Sequence, residues 1–155
     1  MSSSTPSVSP GYLDRPNETA AVFRGGWFFT GDVGRLDPEG FLYLLDRKKD
    51  MIITGGENVW SSEVEAALYR HPDVVEAAVI GVPEETWGEA ILAVIVPAAG
   101  SDLASGGAEG ALIEHCRRFI GGYKVPHRFR FVDALPKSAM GKVLKGELRR
   151  RYRND

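Results

Sequence analysis

Asp32, Arg47 and Lys142 are the side chains in this sequence best suited to a nucleotide. Asp32 follows Gly31 at the end of an aromatic run. A carboxylate on a tight turn can accept from two ribose hydroxyls, although a turn aspartate bonding its own backbone has the same sequence. Arg47 can fork onto a ribose or a phosphate, or sit in a solvated surface pair worth little. Lys142 closes Pro136-Lys137-Ser138-Ala139-Met140-Gly141-Lys142. A lysine on a mobile glycine-containing loop can reach a phosphate from outside, and the first residue of a basic helix would read the same. Between these residues, the charged run Asp46-Arg47-Lys48-Lys49-Asp50 leads into apolar Met51-Ile52-Ile53 and then Gly55-Gly56. The glycine pair lets the backbone turn tightly or lets another molecule approach it. A plain surface hairpin fits that run equally.

Bulk properties narrow the classes. A chain of 155 residues fits one domain by length. Its 43% hydrophobic content can build a core, and a net charge of −2 argues against a general nucleic-acid binder. Cys116 is the only cysteine, so no internal disulfide forms, and a reducing, cytoplasmic setting is expected. The start has no apolar stretch of signal-peptide length, and no run approaches the roughly 20 apolar residues of a membrane span.

These side chains need elements to hold them. Residues 1–10, mostly Ser, Thr and Pro, read as a linker, a tag remnant or a cut edge, and Gly11 to Pro16 as turn. Phe23 to Phe29 suggests a short strand and a turn, and Leu36 to Leu45, around Asp37-Pro38-Glu39-Gly40, a hairpin. Ser62-Glu63-Val64-Glu65 has the capping-box pattern, with Val64, Leu68 and His71 on one helical face and Pro72 as the stop. Val74–Val82 and Ala90–Val96 read as buried strands around a loop at Pro83–Gly88, and Pro97–Ala108 as a flexible loop. Leu112, Ile113, Cys116, Phe119 and Ile120 predict an amphipathic helix ended by Gly121-Gly122, with Cys116 in the core and not a nucleophile. Phe129–Val132 is a short strand, and Leu144, Leu148 and Tyr152 mark one face of a basic terminal helix. That helix (Lys145, Arg149, Arg150, Arg151, Arg153) reads as a solvated face interrupted by Glu147. The pattern predicts an α+β fold for residues 50–155.

Four motifs in order give the sequence a resemblance. They are Gly26-Trp27-Phe28-Phe29-Thr30-Gly31-Asp32, Asp46-Arg47-Lys48-Lys49-Asp50, Gly55-Gly56-Glu57-Asn58-Val59 with Glu63-Val64-Glu65, and the segment Pro136 to Lys142. From about Gly11 onward the chain resembles the C-terminal part of the adenylate-forming enzymes: acyl-CoA synthetases, firefly luciferase and peptide-synthetase adenylation domains. Ile52 to Val59 and Gly122-Tyr123-Lys124-Val125-Pro126 are most similar to the bacterial fatty-acyl-CoA synthetase branch.

The resemblance implies a small mixed β-sheet flanked by helices, preceded by a β-hairpin segment. It implies a tail of an N-terminal adenylation domain (11–48), a hinge at residue 49 and a C-terminal domain (50–155). It implies ATP with Mg²⁺ and coenzyme A, a carboxylic acid of the fatty class, and a larger N-terminal domain of the same polypeptide as partner. Asp32 matches the acid that holds the ribose hydroxyls, Arg47 an arginine on the nucleotide, and Lys49 the hinge. Lys142 matches the adenylation lysine, and Gly55 and Gly56 the turn lining the pantetheine tunnel. Arg117 falls where some relatives contact the CoA nucleotide, while Asn58 replaces an arginine of acetyl-CoA synthetases. No protein metal site is expected. The phosphate loop and acid pocket are absent, so the expectation is a fragment, inactive alone. The alternatives are a standalone lid or binding module acting in trans, and an enzyme that loads a carrier protein instead of CoA. Acylation of Lys142 is a further expected means of regulation.

Overall fold

Two long apolar runs set the architecture of residues 50–155 in the computed structural model, which describes residues 9–105 and 108–154. The chain divides into two compact units, residues 1–49 and 50–155.

In the second unit, β7 (Val74–Glu84) and β8 (Gly88–Pro97) form an antiparallel hairpin. Alternate side chains of a strand point to opposite faces. Ala77, Val79, Ile91, Ala93 and Ile95 enter one core cluster. Ala78, Ile80, Val82, Leu92 and Val94 enter a second. Helices α2 (Ser61–Leu68) and α3 (Glu109–Arg117) supply Val64, Leu68, Leu112 and Cys116 to the first. Helix α4 (Lys145–Arg151) supplies Leu148 to the second, with Tyr152 beside it. Both faces are covered, which is why these strands read as unbroken apolar runs. Strand β9 (Arg128–Phe131) pairs parallel to β8, and the hairpin of β5 (Met51–Thr54) and β6 (Glu57–Trp60) joins at Thr54 opposite Gly88. The sheet is mixed and flanked by helices, as expected.

The edge of β7 is closed by α2 and the residue after it. The Val79 N–H donates to Glu65 at 2.8 Å, and the Ala77 N–H donates to the Tyr69 hydroxyl at 3.2 Å. Covering an edge in this way removes a template for strand addition. It also corrects the capping box. Trp60 is the N-cap, so Ser62 and Glu65 lie too far into the helix, and Glu65 turns to the sheet. Two loops are shorter than expected: β7 runs through Pro83 to Glu84, and Leu103, 2% exposed, anchors the stretch after Pro97 in the core.

Asp50 and Ser61 are the buried polar side chains among the described residues, and both meet α4. Arg149 donates to Asp50 at 2.8 Å and Lys145 to Ser61 at 2.7 Å. The basic helix is therefore partly built into the domain and is not only a solvated face. Removing one partner of a largely desolvated pair strands the other. Arg149→Met should cost about 2–3 kcal/mol, read as a lower urea midpoint with an unchanged slope.

Helices α2 and α3 meet at His115, whose Nε2–H donates to the Ala67 carbonyl at 3.0 Å. The rings of His71 and Phe119 each lie 5.0 Å from it. Burial lowers the His115 pKa from the usual imidazole value; the Ala67 bond opposes this, and His71, Arg118 and Arg70 add to it. The folded state thus favours neutral His115. Its contribution to stability is complete above about pH 6.5 and is lost as pH falls below that. His115→Gln keeps an N–H donor and should flatten the decline in melting temperature from about pH 7.5 to about pH 5.5. An equal slope in the variant would assign the decline elsewhere.

The first unit is different. It holds α1 (Pro16–Val22), the small hairpin β1 (Phe23–Arg24) with β2 (Trp27–Phe28), and the larger hairpin β3 (Asp32–Leu36) with β4 (Leu42–Arg47). Helix α1 has no counterpart in the sequence reading, although Pro16 in its first turn and Glu18 after it are start signals. None of residues 9–49 is buried. Trp27, Leu36, Phe41, Leu42 and Leu44 are each more than 60% exposed.

Candidate functional site

Asp32 opens β3 and Arg47 ends β4, and the hairpin register sets them opposite each other. Arg47 Nε lies 3.4 Å from Asp32 Oδ1, with both side chains partly open to solvent. The Asp32 N–H is taken by the Thr30 hydroxyl at 3.1 Å, so the turn is closed by Thr30 and the carboxylate meets Arg47. Beside them, Thr30, Gly31, Arg47, Lys48 and Lys49 line an open depression of about 550 Å³. Three cations next to a carboxylate suit a ligand with phosphate at one end and vicinal hydroxyls at the other. Lys49 lies in the short turn Lys48–Asp50, at the boundary of the two units.

Gly55 and Gly56 form the turn of the β5–β6 hairpin, with φ of 57° and 83°. That left-handed pair is the geometry of a two-residue hairpin turn. The two glycines differ in surroundings. A Cβ on Gly55 would stand 2.9 Å from the Trp87 ring, whereas one on Gly56 would meet nothing within 4 Å. The Gly55 N–H also donates to the Trp87 carbonyl at 2.9 Å. Gly55, Trp87, Glu84, Tyr123, His127 and Arg128 are among the residues lining a groove of about 530 Å³. Trp87 and Tyr123 are both more than half exposed. Trp87 has no role in the sequence reading, which places Pro83–Gly88 in a plain loop. The Trp87-Gly88 pair is the available sequence signal, and Gly88 does take a positive φ of 83°.

Lys142 sits on a structured hairpin, which corrects the mobile loop of the sequence reading. Lys137 bridges Val143; the Ser138 N–H donates to the Lys142 carbonyl at 2.8 Å; the Leu144 N–H donates to the Pro136 carbonyl at 2.8 Å. The turn closes through Gly141 at φ 79°, and the Lys142 N–H donates to the Ser138 hydroxyl. The Lys142 side chain is exposed and has no ion pair among the described residues. A fixed backbone with a free ammonium is a delivery device for positive charge.

Arg117 is exposed at the C-terminal end of α3, and neither it nor Lys142 is among the residues lining the Trp87 groove. Cys116 is fully buried, and burial pushes its thiol up to about 11, which keeps it protonated and unreactive.

Known proteins with the same features are numerous. The AMP-binding enzyme C-terminal domain family matches residues 63–142. A 2-succinylbenzoate–CoA ligase of Geobacillus kaustophilus is 54% identical over 147 residues, covering 94% of this chain and 29% of the relative. A long-chain-fatty-acid–CoA ligase, FadD13 of Mycobacterium tuberculosis, is 45% identical over 141 residues, covering 91% and 27%. The structure of o-succinylbenzoate CoA synthetase from Bacillus subtilis, in complex with its acyl-adenylate intermediate, superposes with a TM-score of 0.79 at 40% identity, covering 89% and 27%. The chain thus spans under a third of the length of these relatives.

Proposed function

Because the chain belongs to the AMP-binding enzyme C-terminal domain family, we propose that it is the C-terminal part of an ATP-dependent acyl-CoA synthetase. In the first step a carboxylate oxygen attacks the α-phosphorus of ATP, and the bond to pyrophosphate breaks, giving acyl-AMP. In the second step the CoA thiolate attacks the acyl carbon, and AMP leaves with the bonding electrons.

The observation that carries this reading is Lys142, an exposed ammonium on a hairpin locked by backbone bonds. Its charge offsets the negative charge that builds on the α-phosphate and the attacking carboxylate. The Asp32 carboxylate takes the ribose hydroxyls, and Arg47 contacts the same nucleotide. Lys49 is the hinge. The Gly55–Gly56 turn passes the pantetheine arm, and Trp87 and Tyr123 border its path; Arg117 serves the CoA nucleotide. Magnesium arrives with ATP. The partner is an N-terminal domain of the same polypeptide, bearing the phosphate loop and the acid pocket. Unburied residues 9–49 with exposed aromatics support that partner. The acid is fatty or aromatic, since relatives named for a long-chain fatty acid and for 2-succinylbenzoate both match closely. A buried, free Cys116 fits a cytoplasmic setting.

Pyrophosphate release with ATP, Mg²⁺ and a panel of carboxylic acids tests the reading, with and without CoA. The full gene product should turn over and yield acyl-CoA, and the 155 residues alone should not, because one wall of a site cannot orient two reactants. Absence of turnover on every acid would favour a binding module, and acylation of a carrier's phosphopantetheine in place of CoA would change the acceptor.

A further inference from the structure

Burial of a charged contact is a poor source of stability, since desolvation offsets most of the attraction; its best-attested use is to hold one arrangement against others. In residues 50–155 that question falls on Lys145. Its side chain is only 16% exposed. Its ammonium lies 2.7 Å from Glu65 Oε1 and donates to the fully buried Ser61 hydroxyl at 2.7 Å. Glu65 is in turn oriented by the Val79 N–H on the edge of β7. The cation is therefore tied through α2 to the sheet.

What Lys145 secures is the segment beside it. Leu144 is the N-cap of α4, and its N–H closes the hairpin onto Pro136. Val143 bridges Lys137, and the Lys137 ammonium bonds Glu76 of β7. Both legs of the hairpin bearing Lys142 are thus pinned by lysine–glutamate contacts, one at each root. The leg that leads directly out of Lys142 is pinned by Lys145.

We propose that Lys145 is a positioning residue for Lys142, fixing the root of its hairpin to α2 and β7 through Glu65 and Ser61. The proposal rests on Lys142 being the adenylation lysine. A lysine whose root is fixed brings its charge to the reacting phosphate without first ordering its own backbone. Loss of the pin therefore lowers the rate of the first step and leaves substrate affinity alone.

Lys145→Met keeps the length of the stem and removes the charge; Lys145→Arg keeps a cation. In the full gene product, Lys145→Met should lower kcat for acid-dependent pyrophosphate release about 10-fold or more, with KM for ATP within about two-fold, and Lys145→Arg should recover most of the rate. In the 155-residue chain, amide exchange of Ser138, Gly141 and Lys142 should quicken about 10-fold more in Lys145→Met than that of β7 and β8. An unaltered kcat would overturn the proposal. So would exchange that quickens equally in the hairpin and in β7 and β8, which marks a merely structural pair. Lys142→Ala run alongside separates the two ideas. If it keeps full adenylation, the reading of Lys142 fails, and amide exchange alone decides whether Lys145 fixes the hairpin.

Discussion

Lys142→Ala in the full gene product should lose adenylation by about 10²–10³-fold while conversion of supplied acyl-AMP to acyl-CoA stays within about three-fold. The split follows from where charge develops. In the first step, negative charge accumulates around the α-phosphate as the carboxylate attacks, and an ammonium held there lowers the barrier. In the second step the developing charge lies on the acyl oxygen and the departing AMP, and in this reading the glycine turn, not Lys142, faces the reacting thiol. The variant should fold normally, because the Lys142 side chain is exposed and the backbone bonds at residues 138 and 142 do not need it. Lys142→Gln, which mimics acylation, should lose the first step in the same way. Single-turnover release of pyrophosphate, beside thioester formation from synthetic acyl-AMP, measures both arms. Unchanged pyrophosphate release in either variant would remove Lys142 from the chemistry.

The opposite split is expected at the glycine turn. Gly56→Leu should spare pyrophosphate release to within about three-fold and cut acyl-CoA formation about 10²-fold or more, since a displaced thiol loses its approach to the acyl carbon. Gly56 is the better probe of the pair. A side chain on it would enter open space, whereas one on Gly55 would strike the Trp87 ring and disturb the whole groove. The backbone cost at φ 83° is about 1–2 kcal/mol, confined to an exposed turn. Accumulation of acyl-AMP in the presence of CoA is the signature to look for. Equal loss of both steps would mean that the turn supports the nucleotide site instead.

Local chemistry was readable in the sequence, and long-range chemistry was not. The two apolar runs around Trp87 read as buried strands because each lies between two helical layers. The Gly55–Gly56 turn read as a turn because the residue type alone permits its dihedrals. Leu112, Cys116 and Ile120 read as core because their spacing follows one helix face. Glu65 was misread: its spacing from Ser62 suits a cap, but its partners are an edge N–H and a lysine far along the chain. Lys142's loop looked mobile for a similar reason. Its roots are held by Glu76, 61 residues from Lys137, and by Ser61, 84 residues from Lys145. Such pairings leave no periodicity. Asp32 and Arg47 could be nominated separately, but only the register of β3 on β4 puts them face to face. Trp87 went unnoticed because its importance comes from the glycine it covers.

The double core of residues 50–155 has a consequence for grafting. Both clusters draw their members from residues 52 to 152. A part whose interior is self-contained can be exchanged as one piece without repacking, so grafting residues 50–155 onto the preceding part of a related chain should leave both clusters intact.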